Sequence, residues 1–222
     1  MVYFIDTNIG IGYSIFPDKF HNPCKDFINE SSNDIYWSNG VYEEFDRKFC
    51  ELLSIIENFL DIISHALNNR QSFFPNKDSF ASFVLAKTKK VDIDDEKKFK
   101  LIDVFWEMCN DGFSNDICVF QDKFEGFSLY VPSLFYERKN LLIEKLICHN
   151  CGLDNYKKYA ELKELLKNNN VHFPDYKFIL DAHDLGNDFE VFFVTNDKKM
   201  INAIVKNNLL DKLFIENFKV LN

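Results

Sequence analysis

A chain of 222 residues with 46% hydrophobic content is long enough for one α/β domain carrying an insertion, and its 25 Phe point to an aromatic-rich core. The net charge of −9 excludes a protein that holds nucleic acid by a broad lattice of Lys and Arg contacts to phosphate. No run of about 18 or more apolar residues occurs, so no membrane-spanning helix is expected.

Val2, Tyr3, Phe4 and Ile5 form a β-prone apolar run that ends on Asp6, Thr7 and Asn8. A strand at this point, rather than the basic and apolar regions of a leader peptide, gives the expectation of a cytoplasmic protein. Residues 10–17 read as a loop or a short irregular helix, and 20–30 as a first helix that Ser31, Ser32 and Asn33 break. A second short strand follows over 34–37. Ser38 has the chemistry of an N-cap. It precedes a long amphipathic helix in which Val41, Phe45, Phe49, Leu52, Leu53, Ile56, Leu60 and Ile63 recur at helical spacing, to about Ala66. Glu44 lies about 60° round that helix from Val41, at the margin of the apolar face, while Glu43 points further out.

Residues 68–170 carry helical spacing over 80–87, 97–109, 134–148 and 155–168, with breaks at Asn110, Asp111 and Gly112 and at Gly152. This stretch reads as a largely helical insertion or cap within a single domain spanning 1–222. Of the six Cys, Cys148 and Cys151 make a lone CxxC. A tetrahedral zinc site needs a second pair of ligands, so ordinary reduced thiols are expected. Lys is plentiful in short clusters such as Lys97, Lys98 and Lys100, where it solvates helix faces.

Pro174 then suits the first turn of a helix, with Asp175 one residue on, where a negative charge meets the positive end of the helix dipole. Phe178, Ile179, Ala182 and Leu185 continue the helical spacing, and Gly186 is placed to end it in a left-handed conformation. On this helix Asp181 is a reserve acid, Asp184 is expected to face solvent, and His183, like His172 before it, has a packing or surface role. Val191, Phe192, Phe193 and Val194 are the apolar run of a buried parallel strand, which runs out at Thr195, Asn196 and Asp197. A helix over 199–205 and an edge strand or pair within 213–221 close the chain.

In open α/β sheets, sites form outside the carboxyl ends of the strands. Strands ending on Asp6 and on Asp197 would set two carboxylates beside one crevice, with Asp175 and Glu44 at helix positions able to reach it. Carboxylates repel one another unless a cation joins them. The pattern therefore calls for a hard divalent ion, with Thr7, Asn8, Thr195 and Asn196 as hydrogen-bond donors to carboxylate or phosphate, and Asp181 and Glu43 as further acids.

Four segments together resemble the PIN nuclease family: Val2 to Asn8 with its terminal Asp6; Ser38 followed by Val41 and Glu44; Asp175 followed by Ala182 and Gly186; and Val194 to Asp197. The resemblance implies a three-layer α/β/α sandwich around a mostly parallel, Rossmann-like sheet. It also implies a Mg²⁺- or Mn²⁺-dependent endoribonuclease in which Asp6, Glu44, Asp175 and Asp197 are the catalytic, metal-binding acids. Its substrate would be single-stranded or structured RNA. Many small members are toxins of toxin–antitoxin pairs, so an antitoxin or other protein partner, and a homodimer, belong to the same set of expectations. The stretch from Glu44 to Asp175 is far longer than in those small members. Two rival readings are a catalytically inactive PIN-like module that binds RNA or a protein, and an aspartyl-nucleophile phosphatase. The latter generally wants a second acid two residues after the first, where this chain has Asn8.

Overall fold

Four-residue apolar runs buried from both faces make the centre of the sheet. β1 (Val2–Ile5) and β4 (Val191–Val194) pair in parallel along their whole length, Val2 opposite Val191 and Ile5 opposite Val194. β2 (Ile35–Ser38) lies on the other side of β1, and β3 (Ile147–His149) and β5 (Asn217–Lys219) are the edges. The computed structural model describes residues 1–109, 116–150 and 155–221, with the side chain of Asn155 left aside. The fold is α/β, a five-stranded all-parallel sheet of order β3-β2-β1-β4-β5 with helices around it in a three-layer arrangement. Strand alternation puts Phe4, Phe193 and Phe218 in one row, with ring centroids 5.6 and 5.7 Å apart, and Tyr3 against Phe192 on the opposite face.

The chain divides into two compact units, one of residues 1–14, 20–48 and 139–222, the other of residues 15–19 and 49–138. The first holds the sheet with α1 (Thr7–Ser14), α2 (His21–Glu30), α7 (Asn155–Lys158), α8 (Ala160–Asn168), α9 (Asp175–Leu185) and α10 (Lys198–Lys206). α3 (Asn39–Asn68) starts in it, and α6 (Ile117–Lys145) ends in it. The second holds α4 (Lys77–Lys87), α5 (Asp95–Cys109) and the remainder of α3 and α6. Its core is where many of the phenylalanines go: Phe74, Phe80, Phe105, Phe120, Phe124 and Phe127 are each buried, with the rings of Phe105 and Phe124 4.9 Å apart. Along α3 the expected apolar row is buried at Val41, Phe45, Phe49, Leu53, Ile56, Leu60 and Ile63, and Ser38 Oγ accepts from Val41 N at 3.3 Å as the cap.

Several elements differ from the sequence expectation. Residues 7–14 are helical because α1 packs tightly on α2, and a Cβ on Gly12 would come within 2.6 Å of Cys24 Sγ. α6 begins at Ile117 and runs through Gly126 and Pro132, residues that argue against a helix interior, and it stops at Lys145. Ile147 to His149 is therefore an edge strand and not the end of a helix. Of the terminal segment only Asn217–Lys219 pairs. The breaks expected at 110–112 and at Gly152, and Cys151 of the CxxC, lie outside the described residues. Cys24, Cys50, Cys109, Cys118 and Cys148 are in no disulfide.

Gly186 ends α9 with φ −65° and ψ −11°, so the left-handed stop is corrected to a right-handed one. Space, not φ, explains the glycine. A Cβ there would overlap the carbonyl oxygen of Phe214 and lie 2.6 Å from its Cβ. Asn187 Nδ2 donates to Asp184 O at 2.8 Å and covers one of the terminal carbonyls instead. Gly186→Ala should lower the unfolding free energy by about 2–3 kcal/mol in urea titration. Gly126→Ala, exposed in α6 with no atom within 4 Å of the new Cβ, should raise it by about 0.5–1 kcal/mol.

Candidate functional site

β1 and β4 are the central neighbours from which the strand order runs outward in both directions, so their carboxyl ends flank the topological switch point of the sheet. Asp6 and Thr195 are the residues that follow them. The ladder carries one bond past the strands, from Asp6 N to Val194 O at 3.2 Å. Both residues are buried.

Asp6 stands directly before α1, and its Oδ1 accepts from Asn8 N at 2.9 Å and Ile9 N at 3.3 Å, so it caps that helix. Its Oδ2 accepts from the Thr195 hydroxyl in a short bond and from Asn8 Nδ2 at 3.5 Å. Thr195 Oγ1 also accepts from Asp197 N at 3.0 Å. One buried hydroxyl thus joins the acid after β1 to the backbone of the acid after β4. Asp197 in turn caps α10, its Oδ1 accepting from Lys199 N at 2.8 Å and Met200 N at 3.0 Å.

Glu44 is half-buried and doubly held, accepting from Thr7 Oγ1 at 2.5 Å and pairing with Lys48 Nζ at 3.0 Å one helical turn on. Asp175 opens α9 as expected. Desolvation lifts its carboxyl above the ordinary range; the charges of Asp197 and Glu44 push the same way, and Lys48 and His172 oppose them. Burial raises Asp6 to about 7, hydrogen bonds from Thr195, Ile9 and Asn8 pull against it, and the charge of Asp175 adds to the rise. Asp175 therefore feels all three of the other acids, and the four share one electrostatic neighbourhood.

They do not share a ligand geometry. Among the described residues, no three His, Cys, Asp or Glu side chains converge to hold a metal ion. As a donor set, four carboxylates suit Mg²⁺ or Mn²⁺. As they stand, the capping bonds hold Asp6 and Asp197 each to its own helix. Of the four bonds to Asp6, the 3.5 Å one from the exposed Asn8 side chain is the longest, and its release would open Oδ2.

The supporting residues divide. Thr7, Asn8 and Thr195 bond the acids directly. Asn196 instead accepts from Leu221 N at 3.0 Å. Asp181 is fully buried, accepting from Tyr156 Oη at 3.5 Å, and Glu43 is exposed. Asp184 does not face solvent: it accepts from Tyr159 Oη at 2.7 Å and pairs with Lys158 and His149. His183 packs, its ring stacked on Phe214 at 4.7 Å and its Nδ1 accepting from Phe214 N at 2.8 Å. Lys48 is the site residue that sequence reasoning passed over, although its position four after Glu44 was the available signal. Comparison with protein-family models, with curated proteins and with solved structures finds no match to this chain.

The raised Asp6 carboxyl has a consequence for stability. Between about pH 4 and pH 7 the folded chain keeps a proton there that the unfolded chain has released, so stability falls as pH rises across that window and then levels off. Without added metal, the wild-type chain should be less stable at about pH 8 than at about pH 5 by roughly 2–3 kcal/mol from this group. Asp6→Asn, which keeps an oxygen for both capping bonds, should lose most of that difference in urea titrations. An equal pH dependence in the two proteins would contradict the assignment.

Proposed function

We propose that the chain is a divalent-metal-dependent endoribonuclease of PIN-like type, with Asp6, Glu44, Asp175 and Asp197 as its acidic set. The observation that carries the reading is the Thr195 bridge at the switch point, which joins the Asp6 carboxylate to the backbone N of Asp197. A buried acid raised to about 7 beside further carboxylates is costly to stability, and such costs concentrate at functional sites.

A bound Mg²⁺ or Mn²⁺ would supply activation of water and charge neutralisation on the phosphoryl oxygens. The chain's own residues do the rest. Asp6, Asp175 and Asp197 offer oxygen ligands, and Thr195 sets the orientation of Asp6. Glu44, which Thr7 and Lys48 hold, would orient a water. Thr7 and Asn8 are donors within reach of the same carboxylates. A toxin role with an antitoxin partner, and a homodimer, remain with the family resemblance. No helix among the described residues is long and apolar enough to cross a membrane.

A second reading has an observation of its own. Asp6 and Asp197 both act as helix caps, which suits an inactive module that binds RNA or a protein through the same crevice. An aspartyl nucleophile is the weaker rival, because both Asp6 oxygens already accept hydrogen bonds in a buried setting. The purified chain should cleave single-stranded RNA with Mn²⁺ and stop on chelation, and Asp6→Asn should lower the rate by more than about 100-fold. Thr195→Val should cost about 10- to 100-fold through the orientation of Asp6. RNA binding with no metal-dependent cleavage would favour the inactive module.

A further inference from the structure

Most of the phenylalanines are buried, but Phe173 is 67% exposed, two residues before Asp175. Its ring has two close neighbours. Lys177 Nζ lies 4.8 Å from its centroid, and the Tyr176 ring meets it edge-on at 6.2 Å. The same Lys177 ammonium lies 5.1 Å from the ring of Tyr156, so one cation sits against two aromatic rings. Lys167 stands 5.5 Å from the Tyr176 centroid. Lysines and aromatic rings thus lie together close in sequence to Asp175, in a chain whose net charge is −9.

We propose that this patch, built by Tyr156 of α7, Lys167 of α8, Phe173 just before α9 and Lys177 within it, is the platform that holds single-stranded RNA beside the acidic set, an unpaired base stacking on Phe173 and a neighbouring phosphate meeting Lys177. The nucleic-acid half rests on the nuclease reading only for what happens to the strand after it binds. Base stacking on an aromatic ring joined to a positive backbone contact is how proteins hold single strands without reading sequence. Two features favour that occupant. A ring that is 67% exposed leaves a face for a base to cover. Lys177 against the ring of Phe173 puts a positive charge where the phosphate next to a stacked base would lie. A duplex would gain little, because its bases are already stacked and their faces are closed to a side chain. Lys167 also pairs with Glu164 at 3.0 Å, so Lys177 is the principal phosphate contact.

The test is fluorescence anisotropy with a labelled oligouridine and a duplex of similar length, using the full chain carrying Asp6→Asn so that strands stay intact. Adding Phe173→Ala should weaken oligouridine binding by about tenfold or more, Phe173→Trp should restore it, and duplex binding should not follow either change. Adding Lys177→Gln should weaken binding and reduce the salt slope by about 0.7. Circular dichroism should show all variants folded, since Phe173 is a surface residue. Single-strand binding indifferent to Phe173 and Lys177, or no RNA binding at all, would overturn the platform. A Phe173-dependent affinity in a wild-type chain that cleaves nothing would sink the nuclease reading and leave the platform standing.

Discussion

The candidate site depends on one buried hydrogen bond, from the Thr195 hydroxyl to the Asp6 carboxylate. Parallel pairing of β1 and β4 brings the carboxyl ends of both strands to the same level, but pairing alone would leave a carboxylate facing a low-dielectric interior. The hydroxyl donates to that carboxylate and accepts from Asp197 N, so it satisfies a buried acid and fixes the turn that carries the next one. A neutral hydrogen bond is worth about 1 kcal/mol, and one to a charged group up to about 3. Losing this one would leave a buried charge short of a partner, and that larger penalty is what makes it a constraint on the whole end of the sheet.

The same acids serve two ends that compete. As caps, Asp6 and Asp197 complete the first turns of α1 and α10 and so stabilise helices packed on the sheet. Burial is the larger cause of the raised Asp6 and Asp175 carboxyls, and like charge from the neighbouring acids adds to it. Helix capping explains why each acid has a local partner. It does not explain why acids on separate elements feel one another. Charge of one sign gathered at a switch point invites a cation, and the cation would then relieve the repulsion that the fold otherwise carries.

Much of this was legible in the residues, for physical reasons. β1 and β4 are continuous apolar runs because both of their faces are covered, and their bounds could be read without a partner in view. The edge strand β3 could not, since Ile147 and Cys148 are exposed and follow a helix with no punctuation between them. α1 was obscured by Gly10 and Gly12, whose low helix propensity is overridden by packing on α2. Asp6, Asp175 and Asp197 stood out as acids at element ends, and Glu44 as an acid at the margin of a helix's apolar face. What sequence does not contain is the reach of a side chain across the sheet, 189 residues apart in the chain for Asp6 and Thr195. Nor does it tell whether a carboxylate's oxygens point to a shared centre or back to their own helix.

Crystals of the chain soaked in Mn²⁺ and measured at the manganese absorption edge address that last point directly. Manganese at the acidic set should give an anomalous peak bonded to Asp6 and at least one of Asp175 and Asp197, with the Asn8 side chain turned away from Asp6 Oδ2. Manganese bound elsewhere, or no peak while Asp6 and Asp197 keep their capping bonds unchanged, would contradict a metal site there.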